Sequence, residues 1–143
     1  RVGAEFRLSD DFGDETSPYF EGALTRTVTD ALTFSWLHRL GYEDSELALG
    51  ATTSRYAYRT SISANYQLSE KLSFSTSGVY SYADLDGPAS RTDHIFYGRV
   101  GLDYALTQAL TLGFDYSYNT VNSDLATREF DRHRVSASVS ASF

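Results

Sequence analysis

The sequence predicts an all-β fold: an antiparallel up-and-down transmembrane β-barrel, with about eight strands contributed by this chain. Three observations predict it. Apolar and polar residues alternate with period two along most of the chain, the alternating runs are long, and short turns alternate with long polar connections. No run approaches the roughly 18 apolar residues of a membrane helix, but barrel strands hide their hydrophobicity by alternation. We expect one domain over residues 1–143.

The alternation is clearest at the end of the chain, where Val135, Ala137, Val139, Ala141 and Phe143 alternate with serines. Most of the predicted strands reach the roughly 9–11 residues that a tilted barrel strand needs to cross a bilayer. Strands of soluble proteins average only about 5–6 residues, so the greater length of the strands predicted here favours a membrane protein. The predicted strands are 2–9, 18–28, 32–43, 54–68, 72–83, 95–106, 110–120 and 132–143.

The connections are of two kinds. Tight turns at 29–31, 69–71 and 107–109 are each followed by a Leu-x-aromatic or Leu-x-Leu start. These starts recur every 38–40 residues, which indicates a repeated pair of hairpins. Short turns on one side and long loops on the other are typical of outer-membrane barrels. The longer, acidic connections are 10–17, 43–53, 83–93 and 121–131.

Composition narrows the function. Aromatic residues make up 15% of the chain, with 11 Tyr and 9 Phe, and they fall at two levels that match the aromatic girdles of a barrel. The alternative is the core of a soluble β-sandwich, whose strands are usually shorter. A net charge of -7 argues against nucleic acid as a partner, and the absence of cysteine excludes thiolate metal sites. We expect no cofactor.

The last strand resembles the C-terminal signal of bacterial outer-membrane β-barrels, and residues 104–112 resemble the tight turns of porin-like proteins of proteobacteria. The resemblance implies the bacterial outer membrane, with extracellular long loops and periplasmic termini. It implies outer-membrane lipid and lipopolysaccharide as partners. It also implies a barrel-assembly machinery that reads Val135, Val139 and Phe143 during biogenesis. By its size the chain resembles eight-stranded barrels. By the residue pattern of its strands it resembles the C-terminal section of larger porins.

Charged residues at inward positions are the first functional candidates. In a closed eight-stranded barrel, side chains fill the interior and these charges would pair into a plug. In a wider barrel they would line a water-filled pore and tune its ion preference, which their mixed signs leave open. By strand parity they are Glu5, Arg7, Glu21, Arg39, Arg59, Arg99, Asp103, Asp115 and Arg134.

Catalysis is not expected. His133 and Ser136 lie three positions apart on one strand and therefore face opposite sides. Asp93, His94 and Asp131 are placed in loops by the predicted strand ends. Five arginines near the rim are candidates for contact with lipid phosphates: Arg55, Arg59, Arg91, Arg128 and Arg132. His38 falls among the membrane-facing positions, near an interface or an irregularity of the register.

Two functions remain. The chain is either a porin-like barrel that passes small solutes passively, or a small closed barrel with a structural, adhesive or envelope-interaction role through its loops. Assembly of identical chains into a larger barrel is a further possibility. The strand number of the assembled barrel discriminates these hypotheses, because eight strands leave a filled lumen and twelve or more leave a pore.

Overall fold

The computed structural model of the chain describes residues 1–7, 15–46, 52–85 and 91–142. The fold is all-β, with eight antiparallel strands in one sheet that follow one another in sequence order. A short 3₁₀ helix, Ala126–Arg128, precedes the last strand. No helix in these four ranges is long and apolar enough to cross a membrane. The strands are β1 (Val2–Arg7), β2 (Glu15–Thr29), β3 (Leu32–Glu46), β4 (Thr52–Gln67), β5 (Leu72–Leu85), β6 (Arg91–Ala105), β7 (Leu110–Ser123) and β8 (Phe130–Ala141).

All eight predicted strands are confirmed, but their ends differ on one side of the sheet. At the tight turns the ends agree to within a residue or two. At the long connections β2 to β8 run further than the alternation suggested, whereas residues 8 and 9 of the predicted β1 lie outside the described part of the chain. The largest difference is in β6, which begins at Arg91 rather than at residue 95.

A recurring hydroxyl contact forms each tight turn. The first residue of the turn is Thr or Ser, and its oxygen accepts a hydrogen bond from the backbone N–H two residues later. The pairs are Ala31 to Thr29 at 3.3 Å, Lys71 to Ser69 at 3.3 Å and Ala109 to Thr107 at 3.2 Å. Short hydroxyl side chains favour turns because they substitute for a backbone acceptor in this way. The leucine that follows then restarts the strand.

The register gives the sheet two chemically different faces. Successive residues of a strand point to opposite faces, and paired residues of neighbouring strands share one. One face, here called the apolar face, carries Leu24, Trp36, Ile62, Tyr66, Phe96, Val100, Leu102, Tyr104, Leu112, Phe114, Tyr116, Val135 and Val139. The other, here called the polar face, carries Ser61, Ser63, Ser75, Ser77, Ser81, Ser117, Ser136, Ser138 and most of the charged residues.

A conventional hydrophobic core is missing from the described residues. Their only buried hydrophobic side chains are Ala57, Ala83 and Val121, and no large side chain is fully buried. Apolar side chains such as Ile62 and Phe114 remain 52% and 53% exposed. The sheet therefore does not pack its apolar face against a second layer, as a soluble sandwich does.

The two edge strands are each paired on one side only. Within the described residues, β1 pairs with β2 and β8 pairs with β7, and no ladder joins β1 to β8. Every position of β8 is exposed on both faces. The paired strands thus form a continuous sheet with two free edges.

Candidate functional site

Six charged residues form a belt near the middle of the strands on the polar face. Arg39 is the central residue of the 15-residue β3, and Arg59 lies at the centre of the 16-residue β4. The others lie within two residues of the centres of their strands. We call this set the mid-strand charge belt: Glu21, Arg39, Arg59, Arg99, Asp115 and Arg134.

The structure places every described charge of the predicted site on the polar face. The belt accounts for six of them, and Asp103 lies on the same face nearer the tight turn of β6. The side chains of Glu5, Arg7 and Phe143 lie outside the described part of the chain. Val135 and Val139 lie on the apolar face of β8 and are 64% and 70% exposed.

Arg99, the belt arginine of β6, is neutralised within the sheet. Arg99 Nε donates to Asp115 Oδ1 of β7 at 2.8 Å, and its Nη2 contacts the same oxygen. Asp115 lies directly opposite Gly101, and a Cβ built on Gly101 would be 2.8 Å from its Oδ1. The glycine therefore gives the carboxylate room to lie flat on the sheet, within reach of the guanidinium.

The same arrangement recurs two positions along the ladder. Asp103 lies opposite Gly113, whose added Cβ would come within 2.9 Å of Asp103 Oδ1 and 2.5 Å of Ser138 Oγ. Gly101 and Gly113 are both buried although the face around them is open. The two aspartates thus cover two glycines and hold their charges close to the backbone.

The arginines of β3 and β4 are arranged differently. Arg39 and Arg59 are direct cross-strand partners, and both are exposed. Neither lies within 4.0 Å of a carboxylate in the described residues. Glu21, the partner of Arg39 on β2, has its carboxylate held instead by the Tyr19 hydroxyl at 2.5 Å and by Arg1 at 3.9 Å. Two like charges therefore stand side by side, and neither forms an ion pair with a described carboxylate.

At the rim of the polar face, Asp93 organises the β7–β8 connection. Its carboxylate accepts hydrogen bonds from Ser123 Oγ at 2.6 Å and Arg91 Nε at 3.1 Å, and Arg128 Nη2 lies at 3.8 Å. The side chains of Asp93 and Arg91 are only 6% and 11% exposed. The connection is also held by Asp124, which accepts from the backbone N–H of Thr92 at 3.1 Å. We call this set the rim cluster.

The rim cluster lies beyond the part of β6 that a bilayer needs. A tilted strand crosses with about 9–11 residues, and Asp93 is the third residue of a 15-residue strand on the long-connection side. Burial opposes ionisation of Asp93. The hydrogen bonds from Ser123 and Arg91 and the charges of Arg128 and Arg91 outweigh this effect and hold the pKa of Asp93 below its ordinary value.

On the apolar face, a band of rings crosses the sheet near the middle of the strands and extends toward the long connections in β5 and β6. Its ring centroids lie 4.8–6.3 Å apart, and it includes all three histidines of the chain. The tyrosine hydroxyls of Tyr80 and Tyr116 hydrogen-bond the Nδ1 atoms of His94 and His133, at 2.9 Å and 2.8 Å. We call this the aromatic–histidine band: Phe20, Trp36, His38, Tyr58, Tyr80, Tyr82, His94, Phe96, Tyr116, Tyr118 and His133.

Several interpretations of single residues change. Asp93 and His94 lie in β6 and Asp131 lies in β8, so they are not loop residues, and Asp93 is on the opposite face from the other two. Arg91 and Arg128, two of the candidates for contact with lipid phosphates, both contact Asp93 on the polar face. His38 lies in regular β3 pairing, since the one register shift of that hairpin is at Thr27 and Thr29.

The residues considered first for catalysis are His133 and Ser136, and those considered for metal binding are His, Cys, Asp and Glu. His133 and Ser136 lie on opposite faces of β8, as their spacing predicts, and His133 Nδ1 is engaged by Tyr116. In the described ranges, no group of three or more His, Cys, Asp or Glu is placed to hold a metal ion. The rim cluster was missed at the level of sequence because Asp93, Ser123 and Arg128 meet only through the pairing of β6 with β7.

Comparison with known proteins gives one family. No curated protein and no solved structure is significantly similar to the chain. Residues 5–143 match the family described as "Putative beta-barrel porin 2". The match covers nearly the whole chain and agrees with its eight up-and-down antiparallel strands. The chain therefore belongs to this family of β-barrel porins.

Proposed function

We propose that the chain forms a wall of a water-filled pore in the bacterial outer membrane, through which small solutes pass passively. The mid-strand charge belt carries the proposal. Its members lie at mid-depth in strands long enough to cross a bilayer, and a charge at the bilayer midplane on the lipid side costs about 2–4 kcal/mol for Arg. Six such charges on one face require water on that face.

The opposite face supports the same orientation. Its exposed apolar side chains, such as Ile62 and Phe114, are suited to lipid, and large exposed apolar patches indicate contact with a partner or a membrane. Only the part of the aromatic–histidine band near the long connections, such as Tyr82 and His94, lies where an aromatic girdle would meet the headgroups. In this proposal outer-membrane lipid and lipopolysaccharide contact the apolar face. The long connections are extracellular and the termini periplasmic.

An open lumen fits the charges better than a plug does. In a closed eight-stranded barrel the inward charges would be expected to pair with one another. Arg39, Arg59 and Arg134 have no carboxylate within 4.0 Å among the described residues. The free edges of β1 and β8 leave room for more strands, from the same chain or from identical copies. At biogenesis, the barrel-assembly machinery would recognise β8 and its Val135 and Val139.

Single-channel conductance in a planar bilayer tests the proposal. The refolded chain, checked by heat-modifiable gel migration, should give steady open-pore steps. A folded chain that never conducts would contradict the proposal and favour a closed barrel that acts through its loops.

The orientation of the faces has its own test in Trp36, the chain's single tryptophan, which lies on the apolar face with its Nε1 bonded to Thr60 Oγ1 at 2.9 Å. Its fluorescence should be quenched by brominated lipid. As a matched control, a variant that carries Trp36→Phe and Tyr97→Trp moves the tryptophan to the polar face. That residue should be quenched by aqueous iodide and not by brominated lipid, and the reverse result would overturn the assignment of the faces.

A further inference from the structure

The cation pair at the centre of β3 and β4 has no carboxylate within 4.0 Å among the described residues, and Glu21, opposite Arg39 on β2, is hydrogen-bonded to Tyr19 instead. Arg39 and Arg59 are direct cross-strand partners, whose Cβ atoms in such a pair lie about 4.5–5.5 Å apart, and like charges at that spacing destabilise a sheet. Serine or threonine would fit this serine-rich face without that cost. Two exposed guanidinium groups at this spacing are suited to an anion held between them.

The surroundings of the pair form a shallow receptacle. A groove of about 500 Å³ lies beside the two arginines and is lined by Glu21, Leu37, Ser61 and Val79 among others. The Ser61 hydroxyl is an additional donor for an oxyanion. The one carboxylate among these lining residues, Glu21, accepts a hydrogen bond from the Tyr19 hydroxyl at 2.5 Å and forms no ion pair with either arginine, although it remains an opposite charge beside Arg39 on β2. The groove is therefore cationic on its β3–β4 side.

The net charge of the mid-strand charge belt is also positive. Its four arginines face two carboxylates, Glu21 and Asp115, which leaves a local excess of two positive charges. Arg99 is compensated by Asp115 at 2.8 Å. Rings of Arg or Lys side chains are a recognised way to favour anions in a pore. Arg39, Arg59 and Arg134 have no carboxylate within 4.0 Å among the described residues, and of these three Arg39 and Arg59 are direct cross-strand partners.

We propose that Arg39 and Arg59 form an anion station in the lumen, which binds small oxyanions with a phosphate or carboxylate group weakly and makes the pore prefer anions. This inference rests on the proposed function and specifies its solute class. Guanidinium groups bind planar or tetrahedral oxyanions through paired N–H donors, whereas ammonium groups act as point charges. The station therefore depends on arginine and not on positive charge alone.

The first test is the reversal potential across a tenfold KCl gradient. The wild-type chain should favour chloride over potassium, and the double variant Arg39→Gln, Arg59→Gln should lower the chloride-to-potassium permeability ratio at least threefold. A matched control, Arg26→Gln with Lys71→Gln, removes two cations near the tight turns and should leave the ratio within about 20%. Equal shifts in both double variants, or no shift in the first, would overturn the inference.

The second test separates the anion station from general charge and does not need a conducting pore. Inorganic phosphate is titrated with the detergent-folded chain, and the broadening of its ³¹P resonance is measured. Broadening should fall at least threefold in Arg39→Gln, Arg59→Gln and by a smaller amount in Arg39→Lys, Arg59→Lys. Equal broadening by the wild type and the glutamine variant would overturn the station even if the pore conducts. If the folded chain does not conduct but the glutamine variant still broadens the ³¹P resonance less than the wild type does, the proposed pore is wrong and the anion station stands.

Discussion

Arginines on the polar face differ between the two halves of the sheet in whether they have a carboxylate partner. In the β6–β7 half, Arg91, Arg99 and Arg128 each have a carboxylate within 4.0 Å. In the β3–β4 half, Arg39 and Arg59 have none among the described residues. The difference follows from the neighbours of the acids. Gly101 gives Asp115 space to lie on the sheet beside Arg99, whereas Arg39 and Arg59 face each other and Glu21, opposite Arg39 on β2, is hydrogen-bonded to Tyr19.

The comparison teaches that residue type and face do not determine the electrostatic role of a side chain. A glycine opposite an aspartate converts a neighbouring arginine into part of a neutral, structural unit. Without that arrangement, the same residue at the same depth stays available to solutes. The following variants test each side of this difference, starting with the one expected to have the largest effect.

Removal of Asp93 should be the most damaging change in the neutralised half. Asp93→Ala leaves the nearly buried Arg91 without its partner and releases Ser123 and Arg128. Breaking a buried ion pair from one side costs about 3 kcal/mol or more of unfolding free energy. Urea unfolding in lipid vesicles measures the loss. The exposed Asp84→Ala, near the end of β5, is the control and should change stability by less than about 0.5 kcal/mol.

The depressed pKa of Asp93 gives a pH test of the same cluster. A carboxyl whose pKa is lower in the folded state stabilises the fold above its unfolded pKa of about 3.9 and loses that contribution as pH falls through the folded pKa. Protease cleavage of the β7–β8 connection should therefore rise below about pH 4 and stay low above it. Asp93→Asn should be cleaved readily at neutral pH and respond less to acid. Acid resistance of the connection in the wild type would contradict this assignment.

The sequence predicted the strands and the face on which each arginine lies, but it did not predict which arginine pairs with a carboxylate. Period-two alternation and the tight turns predicted eight strands and placed Arg39, Arg59 and Arg99 on one face. Which of them meets a carboxylate depends on the register between strands, which is set by turn geometry and the irregularity at Thr27 and Thr29. A single residue's parity contains no such information.

The strand ends near the rim were missed for a related reason. Arg91, Thr92 and Asp93 show no apolar alternation, so the predicted β6 began at residue 95. Their order comes from contacts with distant residues, including Ser123 and Asp124 on the other side of the β6–β7 hairpin. The hydrogen bonds of His94 and His133 in the aromatic–histidine band were missed likewise, because each histidine meets its tyrosine only across a strand pair.

The space beside Asp115 can be tested by filling it. A Cβ at Gly101 would lie 2.7 Å from Ser75 Oγ and 2.8 Å from Asp115 Oδ1, so Gly101→Ala forces both side chains to move. Gly78 is the matched control, because its added Cβ would make an ordinary 3.7 Å contact with Ile62. Crowding should make Gly101→Ala less stable than Gly78→Ala by about 1 kcal/mol in vesicle unfolding. Equal stability would mean that the glycine has no part in seating the carboxylate.

The smallest effect is expected when Arg99, which has a carboxylate partner, is converted into an arginine without one. Asp115→Asn removes the charge that compensates Arg99 but retains a hydrogen-bond acceptor at the same position. Arg99 then resembles Arg39 and Arg59 in charge, and the chloride-to-potassium permeability ratio should rise, by less than about twofold because Arg99 remains held against β7. Arg99→Gln combined with Asp115→Asn removes both charges and should restore the wild-type ratio. A rise in Asp115→Asn that the second change fails to reverse would mean that Asp115 acts on the ions directly and not through Arg99.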